Sequence, residues 1–415
     1  MKSSKFYTLK NGLRLIFYQD TSKHSTYAEL IVNYGAINNE FILDNKNYHI
    51  NDGMSHFLEH LLIEHSIYGN AIEYFQNNYV EANGRTSLKD TRFYIQTVND
   101  FEVYLEMLIK MVNIPAFSAE DIEKTKYAIY EEIRKDNDNK FSEFNKIERK
   151  CLFKSFNFSS VLGSIEELKN INYETVKMCY DLFYQPKNQI LAIAGNIDID
   201  KTIKFIEKIY DEINKKDIIY SLPKYKEPNN IVKFTDSVYK NVTESFIRIT
   251  YKINISNLEP YEKVKLSFYL DYFLNYNFNE SSNTYKKLID DKISVSNIGY
   301  GHYIINDFLI INISTYTNKF DEFIELITNT IKNKKVDEED FEIRKKRTII
   351  DLILREENMM KMLLPFLDNV ITFNYFDIDK VEDIEEETYE DFIDIINSLD
   401  FSNYCIIKML KKSTL

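Results

Sequence analysis

The chain has 415 residues, 44% of them hydrophobic, and a formal charge of −13 from 52 Lys and Arg against 65 Asp and Glu. That length calls for two or three domains with ample core, and the acidic balance argues against a nucleic-acid partner or an anionic membrane surface. No signal-peptide core follows Met1 and no run of eighteen apolar residues occurs, so a cytoplasmic protein without a membrane span is expected.

The turn signal Asn11-Gly12 precedes an alternation of Leu13, Leu15 and Phe17 that predicts a strand. A second strand is expected over residues 27–34, stopped by Gly35. Next comes an amphipathic helix of about fourteen residues, a normal length. Asn51 or Asp52 is its expected cap, Met54, Phe57, Leu58, Leu61 and Leu62 form its apolar stripe, and Gly69 is its expected end. Strands are predicted near 79–86 and 92–98, then two helices, the second opening at Ser118 with the capping pattern Ser118-x-x-Asp121. A helix over 176–183, a buried strand over 189–194 closed by Gly195, and a helix over 201–214 follow.

Periodicity fails around Lys215 to Pro228. The predicted organisation is therefore an N-terminal domain (1–215), a linker (216–230) and a C-terminal domain (231–415). The second half repeats the mixture: strands near 231–235 and 245–253, a helix at 259–275, a strand pair across 294–315, and helices at 319–333 and 337–358. The fold class expected is α+β, with two similar domains, each an antiparallel-rich sheet with helices on one face. Cys151, Cys179 and Cys405, odd in number and far apart, are read as reduced, packed thiols.

Three of the six histidines lie in the segment Gly53-Met-Ser-His56-Phe-Leu-Glu59-His60-Leu-Leu-Ile-Glu64-His65. On a helix His56 and His60 stand one turn apart on one face, where two imidazoles can bind one ion, and Glu59 projects toward that face. Satisfied core histidines are the alternative, but His-x-x-Glu-His arises by chance in so histidine-poor a chain about once in a hundred. A catalytic zinc takes a third protein ligand, and a carboxylate is the expected type. On the helix opening at Ser118 the apolar stripe runs through Ile122, Ile129 and Ile133, which turns Glu132 inward and Glu131 toward solvent. An inward glutamate needs a partner, and a metal is an adequate one. Glu64 and His65 are assigned to a solvated helix end. The C-terminal half has no such segment, and its one histidine is His302.

His-x-x-Glu-His is the inverted order of the inverzincins, and the chain resembles the pitrilysin/insulinase family, especially short two-domain members similar to the β subunit of mitochondrial processing peptidase. The likeness runs through Leu9-Lys-Asn-Gly12, the histidine segment, Asn83-Gly-Arg-Thr86, Asp121 to Glu131-Glu132-Ile133, Leu162-Gly163-Ser164, and Tyr184-Gln-Pro-Lys-Asn to Ala194-Gly195. It implies that His56, His60 and Glu132 bind Zn2+ and that Glu59 is the general base. It implies that Asn83, Gly84 and Thr86 lie on an edge strand receiving an extended peptide substrate.

Two departures from the family stand out. Where it carries a supporting glutamate seven residues before its ligand glutamate, this chain has Thr125. Where active members carry an Arg and a Tyr seven apart in the second domain, it has Ile289 and Ser296. The resemblance thus implies the catalytic half of a heterodimeric zinc endopeptidase whose similar-fold partner supplies the Arg and Tyr. A self-sufficient peptidase using Tyr285, Tyr300 or Lys292, and a non-catalytic scaffold or peptide-binding subunit, are the alternatives.

Overall fold

The apolar runs of the N-terminal half pair into one sheet because each strand has a face to bury. In the computed structural model the described residues are 2–155, 160–213, 215, 217–223, 226–377 and 380–412. Residues 216, 224 and 225 of the expected linker, residue 214 at the end of a predicted helix, and residues 1, 156–159, 378–379 and 413–415 lie outside them. Among the described residues the elements are, in chain order, β1 (Lys2–Thr8), β2 (Arg14–Asp20), β3 (Thr26–Val32), β4 (Glu40–Leu43), β5 (Lys46–His49), α1 (Met54–Glu64), α2 (Ala71–Asn77), β6 (Glu81–Thr86), β7 (Thr91–Thr97), α3 (Phe101–Asn113), α4 (Ala119–Asp138), α5 (Lys140–Leu152), α6 (Ile165–Asn170), α7 (Tyr173–Phe183), β8 (Gln189–Gly195) and α8 (Ile199–Glu212). They continue with β9 (Thr235–Lys240), β10 (Phe246–Asn254), α9 (Pro260–Phe278), α10 (Asn283–Asp290), β11 (Gly299–Ile305), β12 (Phe308–Tyr316), α11 (Phe320–Asn333), α12 (Glu338–Arg355), α13 (Met359–Phe373), α14 (Val381–Glu385), α15 (Tyr389–Ser398) and β13 (Tyr404–Lys411).

The chain divides into two compact units, residues 1–138 with 157–225, and residues 139–156 with 226–415. The break after 225 falls inside the expected linker. Helix α5 counts with the second unit although it precedes the break in sequence. Its Glu148 carboxylate accepts from Arg248 (2.8 Å) and Thr250 on β10, and its Phe141 and Phe144 rings meet Phe246 edge-on.

In the first unit the sheet order is β1-β2-β8-β3-β7-β6, parallel between β2 and β8 and antiparallel elsewhere. Alternate residues Ala28, Leu30 and Val32 of β3 join Phe57, Leu58, Leu61 and Leu62 of α1 in one core. The second unit has order β9-β13-β10-β12-β11, again with one parallel pair, β9 with β13. It repeats the order β2-β8-β3-β7-β6 strand for strand, so α9, between β10 and β11, fills the slot that α1 fills in the first unit. Buried Tyr269, Tyr272 and Phe273 stand on α9, which carries no histidine. The two similar α+β units expected from the sequence are present.

Several local expectations fail for identifiable reasons. Neither Asn51 nor Asp52 caps α1. Asn51 donates to Glu167 O (2.8 Å), Asp52 accepts from Asn39 (2.6 Å), and the cap position is Gly53 in the left-handed region at φ 85°. The helix is eleven residues long and ends at His65, because Gly69 closes a separate turn with Ser66. The strand predicted at 231–235 lies at 235–240 instead, since Val232 and Lys233 bond to Cys151 O at the end of α5. The hairpin β4–β5, α5, α13 and β13 are not predicted from the sequence, although α5 buries one face through Phe144, Glu148, Cys151 and Leu152. Cys151, Cys179 and Cys405 are free and buried, as expected.

Candidate metal centre

Helix α1 has two stripes. One is the apolar stripe already described; the other, at i, i+3, i+4 and i+7 spacing, carries His56, Glu59, His60 and Ile63. The start of α1 is set by close backbone packing. A Cβ on Gly53 would lie 2.5 Å from Leu162 O, and one on Gly163 (φ 73°) would collide with Asp52 O. Both positions need glycine, and together they fix where the histidine stripe begins.

Helix α4 begins as expected. Ser118 Oγ donates to Asp121 (2.7 Å), and the Ser118 and Asp121 backbone amides bond back to the partner side chain (2.9 and 3.3 Å). Glu132 then reaches both histidines, with Oε2 3.5 Å from His56 Nε2 and Oε1 3.6 Å from His60 Nε2. The expectation that Glu132 is turned inward and Glu131 outward is corrected in one respect. The two side chains are equally exposed, at 40% and 41%, and differ only in direction, since Glu131 faces Arg134 at 3.4 Å.

One nitrogen from each histidine and one carboxylate oxygen of Glu132 lie within 4.8 Å of one another, and all three residues are partly exposed. The donor set suits a borderline divalent ion such as zinc, and the exposure leaves room for a fourth ligand. Burial and the neighbouring His60 depress the pKa of His56 to about 3, so its imidazole is neutral with a lone pair available. For His60 burial opposes the charged form, but Glu64, Glu132 and Glu59 outweigh it and raise its pKa.

Glu59 is buried and accepts a 2.5 Å hydrogen bond from Thr86 Oγ1 on β6. Burial raises its pKa; the Thr86 bond and His60 pull the other way, and Glu132 adds to the rise. Gly84 lies against the same carboxylate. A Cβ there would be 2.7 Å from Glu59 Oε1 and 2.6 Å from Ile63 Cδ1, so β6 passes so close to α1 that any added side chain displaces these two side-chain ends. Strand β6 is the edge of its sheet. Asn83 turns its side-chain oxygen onto the Gly84 amide (2.9 Å), so that amide is engaged within the strand. The structure thus brings His56, Glu59, His60, Glu132, Gly84 and Thr86 to one place, with Asn83 beside them.

Sequence reasoning sets Glu64 and His65 aside as a solvated helix end, and the structure corrects this. Glu64 Oε1 is 2.9 Å from His60 Nδ1, and His65 Nδ1 is 3.2 Å from Asp121 on α4. The i, i+4 spacing of His60 and Glu64 is the signal that could have found it. Thr125 is fully buried, and its hydroxyl has no hydrogen-bond partner among the described residues. In the second unit, Ile289 is a half-exposed residue of α10, and the Ser296 hydroxyl is bound to Ser294 (2.9 Å) and Thr315 (3.0 Å). Neither supplies a cation or a phenol.

Residues 14–152 match the family model for the insulinase family, peptidase family M16, and residues 170–348 match that for the peptidase M16 inactive domain. An uncharacterized zinc protease of Bacillus subtilis, YmfH, is 31% identical over 205 residues, 48% of this chain and 47% of its own length. The β subunit of the mitochondrial processing peptidase of Caenorhabditis elegans is 25% identical over 173 residues, 40% of this chain and 38% of its own length. The chain spans about half the length, or less, of these curated relatives. The crystal structure of an M16-like peptidase from Alicyclobacillus acidocaldarius superposes with TM-score 0.87 at 19% identity, covering 99% of both chains. A protease from Helicobacter pylori superposes with TM-score 0.82 at 17% identity over the full length of both. At such identities these two structures speak to the fold alone. No helix among the described residues is long and apolar enough to cross a membrane.

Proposed function

Because the chain belongs to the insulinase family of peptidases, family M16, we propose that it is a zinc-dependent endopeptidase subunit acting on extended peptides, with His56, His60 and Glu132 as ligands. The observation that carries this reading is the approach of the two Nε2 atoms and the Glu132 carboxylate, 3.5 and 3.6 Å apart, beside buried Glu59. Zinc bound there would supply Lewis acidity toward the scissile carbonyl and lower the pKa of a water toward neutrality.

The chain's own residues do the rest. Glu59, made more basic by burial, takes a proton from the attacking water and delivers it to the leaving amine nitrogen. Thr86 fixes the carboxylate's orientation through its 2.5 Å hydrogen bond. The open edge of β6 receives the substrate backbone as an added strand, and Asn83 gives up its hold on the Gly84 amide when the peptide arrives. An added strand must be extended, which selects unfolded segments over folded proteins.

Dependence on a partner is supported by Ile289, which has no polar side-chain group, and by Ser296, whose hydroxyl is engaged by Ser294 and Thr315, where an Arg and a Tyr would hold a developing oxyanion; a lost contact of that kind costs about a hundredfold or more in rate. A second chain of similar fold bearing an Arg and a Tyr would complete the site. The same observation favours, as a second reading, a non-catalytic subunit that retains the fold. Metal analysis with peptide cleavage assays on the wild type and Glu59→Gln, each with and without the partner, tests both. Bound zinc, and cleavage that falls by about 10²–10⁴ in Glu59→Gln, are the expected results. Cleavage undiminished by the substitution would sink the enzyme reading, and no cleavage by either protein under any condition would favour the scaffold.

A further inference from the structure

We propose that Glu64 is the positioning residue for His60, and that this carboxylate on the metal helix itself takes over a support that Thr125 on α4 cannot give. The proposal rests on the reading of His56, His60 and Glu132 as ligands. Its basis is geometric. His60 presents Nε2 to Glu132 at 3.6 Å and Nδ1 to Glu64 Oε1 at 2.9 Å, so the two ring nitrogens have separate partners on opposite sides. A proton on Nδ1, donated to Glu64, leaves the lone pair on Nε2, where the ligand site is. An outer carboxylate that fixes tautomer and ring orientation in this way also raises the basicity of the ligating nitrogen.

The two histidines are not treated alike. His56 Nδ1 is buried and has no hydrogen-bond partner among the described residues. Orientation by an outer carboxylate therefore falls on His60 alone.

The opposing helix explains why the support comes from α1. His65 near the end of α1 meets Asp121 at the start of α4, while His56 and His60 meet Glu132 about three turns further along α4. The two helices therefore run antiparallel, and Thr125, seven residues before Glu132, lies on the same face of α4 between these two contacts. It is fully buried, and its hydroxyl, without a partner, is too short to serve as an outer-shell acceptor. Glu64 fills that role from one turn beyond His60. The His65–Asp121 contact of 3.2 Å pins the same end of α1 to α4, so Glu64 extends from a held turn.

The test combines two readouts on the full chain. Zinc affinity is measured by competition with a chromophoric chelator for the wild type, His56→Ala, Glu64→Ala, Glu64→Gln and Glu64→Ala/Thr125→Glu, with circular dichroism as the folding control. The tautomer of His60 is read from imidazole 15N shifts of the metal-free protein at a pH high enough that the ring is neutral. The expected loss for Glu64→Ala is about 10- to 100-fold in affinity, with a mixed tautomer at His60. Glu64→Gln, which keeps an acceptor oxygen, should recover most of the affinity, and Thr125→Glu should recover part of it in the Glu64→Ala background. If the wild type binds zinc no better than His56→Ala, the ligand reading fails and this proposal with it. If the wild type binds tightly and His56→Ala does not, but folded Glu64→Ala matches the wild type in affinity and tautomer, this proposal alone is overturned.

Discussion

Gly84 shows how little room separates the edge strand from Glu59. Its backbone is not in the left-handed region, so replacement by alanine would strain no dihedral; the cost is a methyl group 2.7 Å from Glu59 Oε1. Gly84→Ala should therefore fold with little loss in thermal midpoint yet lose on the order of 10- to 100-fold in kcat, as displaced catalytic groups do. Unchanged kcat would show that Glu59 can shift without penalty. Lys215 shows a dependence on burial of a different kind. Its ammonium donates to Tyr184 O (2.6 Å) and the Tyr180 hydroxyl (3.0 Å) and lies over the Tyr180 ring. Burial lowers its pKa from 10.5 to about 7, with Asp181 opposing. Between those values the unfolded chain binds the extra proton, so Lys215 adds a contribution to stability that rises with pH. Comparing thermal midpoints of the wild type and Lys215→Met at pH 7 and 9.5 checks this. The wild type should gain on the variant at the higher pH, and parallel shifts would refute it.

At the scale of elements, the placement of α1 depends on glycine contacts more than on capping. Gly53 and Gly163 both have positive φ, and each leaves no space for a Cβ against the other's loop. Gly163→Ala should cost about 1–3 kcal/mol from the left-handed backbone, with a further penalty from collision with Asp52 O. It should also weaken zinc binding, because a shifted first turn of α1 moves His56 relative to Glu132. Thermal unfolding and chelator competition measure the two effects, and loss of stability with intact metal affinity would show that the helix start can relax independently of the site. Helix α5 makes a related point. Its charges and aromatics face β10 through Glu148, Arg248 and Phe246, so it serves a sheet whose strands come later in the chain.

At the scale of the whole molecule, one fold is used twice with different content. The slot filled by α1, with two histidines and a carboxylate, is filled by α9 with buried aromatics, and the second unit offers Ile289 and Ser296 where the family resemblance places a cation and a phenol. The purified chain should thus cleave an unstructured peptide slowly. Co-expression with a similar-fold chain bearing the Arg and Tyr should raise kcat/KM by about a hundredfold or more and yield a larger species by size-exclusion chromatography. Full activity of the isolated chain would refute the need for a partner.

The His-x-x-Glu-His pattern is legible in the sequence because it is local. Four residues make one helical turn, so His56 and His60 must share a face wherever the helix goes, and the Ser118–Asp121 cap likewise needs only its own segment. The sheet topology is visible there only as an unplaced repeat of strands and helices, since pairing partners such as β2 with β8 are far apart in the chain. Tertiary structure alone decided where α1 begins and that Glu132 reaches the histidines while standing no more buried than Glu131. Each of those depends on which surface a distant segment brings opposite, and spacing along one chain carries no information about that distance. Sequence by itself determined the candidate ligand types and the helix that carries two of them; packing between helices and the edge strand determined the geometry in which they meet.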